Sequence, residues 1–193
     1  MDFAGQMLRE AARFREEKEA LDDLAANIRC IRSRAGEFGI DPDNYIVGGF
    51  SAGGNLICTW GMEHVGYKKY GLPKPRALFP VYPVTELSPL LETEESKMFL
   101  RFMFGEEFTG ETVGEYSPVL HVTDGYPPCY AVCCRDDSTV DYHNTVALKE
   151  ALDAQGIPNE AEIGEKGEHG FGLGMNTDVE GWVERAAAFE QSL

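Results

Sequence analysis

The sequence lacks a long apolar run, a cysteine framework and an adequate share of positive charge. No stretch approaches the roughly 18 consecutive apolar residues of a membrane-spanning helix, so no membrane association is expected. No basic start followed by an apolar core opens the chain, so no signal peptide is read there. Five cysteines, Cys30, Cys58, Cys129, Cys133 and Cys134, form an odd set without framework spacing. No histidine adjoins them, and a zinc site would want tetrahedral ligand spacing with such partners. No metal is expected. Free thiols fit a reducing, cytoplasmic setting. Lys and Arg number 17 against 33 Asp and Glu, a formal net charge of −16. Such a surface repels phosphate backbones, so nucleic acid is not an expected partner. Internal repeats and low-complexity segments are also missing.

What remains is an ordinary globular balance over 193 residues, with 43% hydrophobic and 26% charged. The size fits one domain, residues 1–193. The acidity most simply serves solubility. It is uneven, because residues 135–193 hold 13 acids and 4 bases.

Hydrophobic spacing gives a coarse order of elements. Phe3, Met7, Ala11 and Phe14, then Leu21, Leu24, Ala25, Ile28 and Ile31, predict a leading helical segment within residues 1–38. The polar run Glu16-Glu17-Lys18-Glu19 between the two stripes is either a break or a solvated face. Gly39 and Pro42 supply its stop. Short apolar runs at 45–48, 76–82, 130–134 and 159–163 read as strands. Helical character returns at 52–66, 142–155 and 178–191. Alternating strands and helices predict an α/β fold, a mostly parallel sheet flanked by helices on both faces. Residues 84–126 interrupt the rhythm. Their apolar cluster, Met98, Phe99, Leu100, Phe102, Met103 and Phe104, reads as core packing, with a lid or insertion as the alternative.

Gly49-Phe50-Ser51-Ala52-Gly53 is a Gly-x-Ser-x-Gly element, followed by Gly54. Composition alone yields roughly 0.08 such matches by chance, so the flanking structure must carry the signal. An apolar strand precedes it and a helix follows, the setting in which a serine is thrust out on a strained turn. Both flanking glycines are expected to be required sterically. The Ala52 N–H, at the helix N-terminus, would face a developing oxyanion. A nucleophilic serine needs a base, and the base needs an orienting acid. Of His64, His121, His143 and His169, the last is favoured: it sits in the Gly-flanked loop Gly167-Glu168-His169-Gly170-Phe171-Gly172. His64 reads as a helical surface residue, His121 as structural and His143 as a helix-start residue. The acid is expected in Arg135-Asp136-Asp137-Ser138-Thr139-Val140-Asp141, where residue chemistry alone leaves Asp136 and Asp137 unseparated.

Together these segments resemble the α/β-hydrolase superfamily. The nearest likeness is the bacterial acetyl esterase/lipase group, related to hormone-sensitive-lipase-like and feruloyl-esterase-like hydrolases. Gly39-Ile40-Asp41-Pro42-Asp43 leads into Gly49-Phe50-Ser51-Ala52-Gly53-Gly54-Asn55-Leu56. Pro80-Val81-Tyr82-Pro83-Val84, Tyr116-Ser117-Pro118 and Pro127-Pro128 follow. Asp137-Ser138-Thr139-Val140 and His169-Gly170-Phe171-Gly172 complete the likeness over residues 17–193. In that family the acid stands three residues before Val or Leu, which implies Asp137. The implied triad is Ser51 as nucleophile, His169 as general base and acid, and Asp137 as orienting acid. The implied activity is hydrolysis of short acyl esters, acetylated sugars among them, without a cofactor.

One part of the family pattern is missing. Its members carry further strands and a His-Gly-Gly loop before the nucleophile strand. Here only 44 residues precede Tyr45, and they read as helix. The chain is therefore expected to match a family member without its N-terminal third, with low activity for want of oxyanion donors. The strand at 45–48 should be an uncovered edge, shielded by the leading helix or by a second copy. Two other readings stand beside the esterase. One is an inactive remnant that serves in interaction. The other is a serine peptidase, disfavoured by Ala52 and the Ser-Ala-Gly-Gly run.

Overall fold

The computed structural model describes residues 17–193. The chain runs α1 (Glu17–Ser33), α2 (Ala35–Phe38), β1 (Ile46–Phe50), α3 (Ala52–Gly61) and β2 (Ala77–Val81). Helices α4 (Glu94–Phe104) and α5 (Gly110–Glu115) follow. Then come β3 (Cys129–Cys134), α6 (His143–Ala154), β4 (Asn159–Gly164) and α7 (Trp182–Gln191). The four strands pair in parallel in the order β1-β2-β3-β4. This is the expected α/β architecture.

Leu78 and Cys129 pack with Ile57, Cys58, Leu148 and Leu152, so α3 and α6 cover one sheet face. Val81, Tyr130 and Val132 pack with Val179, Trp182, Ala186 and Phe189, so α7 covers the other. Every residue of β3 is buried, which is why it reads as an unbroken apolar run rather than an alternating one. Its cysteines act there as small hydrophobes. The Tyr130 hydroxyl donates to Glu162 at 2.6 Å. Arg185 of α7 also pairs with Glu162, tying α7 to the sheet.

Several boundaries differ from expectation. The leading helix is broken at Arg34, and the Phe3, Met7, Ala11 and Phe14 stripe lies outside the described residues. Its stop is as expected: Gly39 takes φ 65°, and a backbone bond closes the end of α2 on Ala35. The helix after Ser51 ends at Gly61 rather than at 66, because Met62 turns extended, with ψ 124°. His64 consequently sits in a turn, its ring 4.6 Å from that of His121. The last helix begins at Trp182 after Gly181, which takes φ 80°.

Residues 84–126 form a satellite cluster. Leu100 and Met103 are buried with Val84, Leu87 and Val113, while Phe99 and Phe104 pack against them. Met98 and Phe102 face outward, at 62% and 47% exposure. Packing thus accounts for four of the six apolar residues that drew attention in the sequence.

Among the described residues β1 pairs with β2 alone. Helix α1 buries Leu21, Ala25 and Ile28 against Trp60, Tyr67 and Leu72, with Tyr45 and Val47 at the margin. The helix shelters one face of β1. A cleft of about 220 Å3 remains between them, and Ile46 and Phe50 stay more than two-fifths exposed. The expectation that the leading helix would cover the edge is met only in part.

Burial raises all four core thiols, Cys58 to about 12, Cys133 to about 11, Cys134 to about 12 and Cys129 well above its usual range. The thiolate is the reactive form. Ellman's reagent at pH 8 should therefore titrate one thiol rapidly in the native chain, the exposed Cys30, and the other four only after unfolding. Two or more fast thiols would contradict this packing.

Candidate active site

The parallel register brings the C-terminal ends of the strands level. Phe50 of β1 stands opposite Val81 of β2, so Ser51 and Tyr82 emerge side by side. Asp137 follows β3 and His169 follows β4. In open α/β sheets ligands bind outside these strand ends.

Ser51 takes φ 54° and ψ −120°, a strained conformation for a residue with a side chain, costing about 1–3 kcal/mol. Two backbone bonds hold it. Its N–H donates to the Val81 carbonyl at 3.0 Å, and its own carbonyl accepts from the Asn55 N–H at 3.1 Å. The buried Asn55 amide donates to the Val84 carbonyl at 2.8 Å, fixing α3 to the loop after β2. The glycines around Ser51 differ in role. A Cβ on Gly49 would lie 2.2 Å from the Gly53 carbonyl oxygen. One on Gly54 would lie 2.9 Å from the Pro83 Cβ. Gly53 has open space, so the expectation that both flanking glycines are sterically required is corrected: Gly49 is, Gly53 is not. Phe50 shows its ring to solvent and to Tyr82 and Trp182.

His169 Nε2 stands 2.9 Å from Ser51 Oγ, and His169 Nδ1 stands 2.8 Å from Asp137 Oδ2. The Asp137 side chain is fully buried. Its other oxygen accepts from the Thr139 and Val140 N–H groups at 2.9 and 2.8 Å. Both oxygens of the buried carboxylate are thus taken up as acceptors. An ionised carboxylate only accepts, so the imidazole donates from Nδ1 and leaves Nε2 free to accept from the serine hydroxyl. The structure therefore brings Ser51, His169 and Asp137 into one hydrogen-bonded line. The Ala52 N–H lies in the first turn of α3, where donors have no intrahelical acceptor.

The two neighbouring aspartates also separate. Asp136 Oδ1 accepts from the Gly167 and Glu168 N–H groups at 2.9 and 2.8 Å. It clamps the loop that carries the histidine. Asp178 does the same one step earlier, accepting from the Glu165 and Lys166 N–H groups. Sequence reasoning missed both roles. The other histidines lie elsewhere. His121 Nε2 bonds the Gly114 carbonyl, and the exposed His143 bonds Asp141 at the start of α6.

Sequence reasoning assigned nothing to Tyr82 beyond its place in Pro80-Val81-Tyr82-Pro83. It takes φ 38°, an outlier for an aromatic residue. Its buried ring lies 4.7 Å from the His169 ring and 4.7 Å from the Phe171 ring. Burial, then the Asp137 charge, push its phenol above the usual range, against a backbone bond from Gly172 that lowers it.

Residues 11–152 match the BD-FAE family model. The chain belongs to the BD-FAE family. Its structural neighbours are α/β hydrolases. An acetyl ester-xyloside bifunctional hydrolase from Caldicellulosiruptor lactoaceticus superposes with TM-score 0.71 at 27% identity, over 89% of this chain and 64% of that one. A sugar hydrolase from Lactococcus lactis gives TM-score 0.74 at 24% identity, over 93% and 70%. Endo-1,4-beta-xylanase B from Butyrivibrio fibrisolvens is 26% identical over 183 residues. That stretch is 91% of this chain and 28% of the xylanase. The chain thus spans less than a third of that curated relative and about two thirds of these two solved structures.

The glycine contrast is testable. Gly49→Ala should destabilise by about 2–4 kcal/mol, as overpacking against backbone does. Gly53→Ala should be neutral or stabilising by up to about 1 kcal/mol, because Ala suits a helix better than Gly. Chemical denaturation of both variants checks this, and equal losses would refute the assignment.

Proposed function

We propose that the chain is a serine carboxylic-ester hydrolase that forms an acyl-enzyme on Ser51. One observation carries this reading: the line from Asp137 through His169 to Ser51, with contacts of 2.8 and 2.9 Å at the level strand ends. The proposed substrates are short-chain acyl esters, with acetylated sugars as the class suggested by a relative named as an acetyl ester-xyloside hydrolase.

The chemistry follows from the bonding. His169 Nε2 takes the hydroxyl proton as Ser51 Oγ attacks the ester carbonyl. The resulting oxyanion faces the Ala52 N–H and the positive end of α3. His169 then returns the proton to the leaving alcohol oxygen. Water, deprotonated by the same nitrogen, then attacks the acyl carbon, and His169 hands that proton to Ser51 Oγ as the Oγ–acyl bond breaks and the carboxylic acid leaves. Asp137 keeps the imidazole in the productive tautomer and stabilises the imidazolium.

The second reading, an interaction or remnant domain, draws on the oxyanion side. Ala52 supplies one backbone donor next to Ser51, and one missing donor costs about 10²–10³ in kcat. On this reading the triad is retained, but Ser51 is unreactive and turnover is absent.

A fluorophosphonate probe separates the two. It should modify Ser51, located by peptide mass spectrometry. Ser51→Ala should abolish both the modification and the hydrolysis of an aryl acetate. Asp137→Asn should lower kcat by about 10⁴, as loss of the tautomer-fixing acid does in serine hydrolases. A folded chain whose Ser51 resists the probe would sink the hydrolase reading. Faster cleavage of a dipeptide amide than of the ester would favour the peptidase.

A further inference from the structure

We propose that Tyr82 is a positioning residue: its ring holds the imidazole of His169 on the line between Asp137 and Ser51. The proposal rests on the hydrolase reading for its consequence, though not for its geometry.

Backbone strain is the first observation. Among the described residues four other than glycine take positive φ, and they are Ser51, Tyr82, Glu168 and Asn176. Asparagine tolerates that conformation. The other three adjoin the candidate site, and Tyr82 is the bulkiest of them. Strain of this kind persists only where surrounding structure imposes it, and it concentrates where a function needs a side chain aimed against the backbone's preference. A tyrosine serving only as core filler would not need it.

The second observation is what the strained backbone aims at. The Tyr82 N–H donates to the Val132 carbonyl, which pins the residue level with Ser51. The ring then lies over the His169 ring, with centroids 4.7 Å apart and planes tilted by 58°. Phe171, two residues beyond the histidine, meets the same ring edge-on at 83°. Phe50 closes the far side at 5.9 Å. Tyr82 is 5% exposed, so the packing is complete.

The third is what the histidine lacks without it. The loop around His169 carries Gly167, Gly170, Gly172 and Gly174, three of them at positive φ. Asp136 clamps its entry through backbone groups. Such a loop sets a path but gives the imidazole few neighbours of its own. The bonds from Nδ1 to Asp137 and from Nε2 to Ser51 lie along the ring and do not by themselves fix the tilt of its plane. The tilted ring contact from Tyr82 limits this freedom, and a base displaced by 1 Å can cost on the order of 10²-fold in rate.

The test compares Tyr82→Leu with Tyr82→Phe in the full chain. The aromatic ring shifts nearby protons, so nuclear magnetic resonance of the His169 ring reads the contact directly, with assignment by His169→Gln. In the native chain, nuclear Overhauser contacts between the two rings are expected. Tyr82→Leu should shift the His169 ring signals and slow fluorophosphonate modification of Ser51 by about tenfold or more. It should lower kcat far more than it changes KM. Tyr82→Phe should restore signals, modification and kcat to within about twofold of the native values, because the ring makes the contact with the imidazole and the hydroxyl's bond to the Gly172 backbone lies outside it. Unmoved His169 signals or an unchanged modification rate in a folded Tyr82→Leu chain would overturn the proposal. So would a Phe variant as impaired as the Leu variant. If Tyr82→Leu does not fold, the native Overhauser contacts decide, and their absence overturns it. A native chain that shows those contacts but resists the probe refutes the hydrolase reading and leaves the positioning contact standing.

Discussion

The candidate site depends on the side chain that Gly49 does not have. The turn out of β1 brings the residue two before the serine against the carbonyl two after it, with no room for a Cβ. That contact lets the chain reverse within one residue. The reversal puts Ser51 in its strained conformation, starts α3 at Ala52 and points both the hydroxyl and the helix's unpaired donors to the same side. A wider turn would lose all three together. The neighbouring strand supports the turn, because the Ser51 N–H is taken up by the Val81 carbonyl rather than left unpaired.

The remaining parts are supplied by register and by loops of opposite character. Parallel pairing makes Ser51, Tyr82, Asp137 and His169 successive arrivals at one sheet end. The acid sits on a short turn, its carboxylate saturated by two amides and an imidazole. His169 sits on a glycine-rich loop held from outside by Asp136 and Asp178. A rigid turn for Asp137 and borrowed rigidity for His169 are different solutions to one requirement. Both nitrogens of the imidazole must find partners within hydrogen-bond reach at the same time.

Much of this was legible in the residues, for reasons that differ by element. Four strands and the order of their helices announce themselves by apolar runs and by glycine and proline at the turns. The Ser51 element was legible because its glycines are a steric necessity at one position. His169 stood out because a lone imidazole among glycines packs poorly as core. Three things were not legible. The choice between Asp136 and Asp137 depends on which way each side chain leaves a turn, which residue type does not encode; only the family likeness pointed to Asp137. Tyr82 looks like any buried aromatic in a strand until its φ is known. The true end of α3 was hidden because residues 62–66 keep an apolar, helix-compatible pattern while the chain has already turned away to bury Met62 and Val65.

The acidic surplus gains a second meaning from the same bonds. Solubility accounts for exposed glutamates, and several of those sit in surface ion pairs of small energetic weight. Four of the five aspartates of residues 135–193 behave otherwise, Asp153 alone pairing with Lys149 on the surface. Asp136, Asp137, Asp141 and Asp178 each accept at least one backbone N–H from a loop or a helix start. An ionised side-chain acceptor bonds such donors about twice as strongly as a neutral one. Loops with few apolar residues of their own can then be fixed without a core. The local excess of negative charge is where the sheet ends, the histidine loop and the acid turn must all be held still. It describes how the site is braced and does not by itself define a substrate. Any ester that binds there meets a field set mainly by acids already committed to amides and to one imidazole, with the helix terminus at Ala52 as the nearest positive pole.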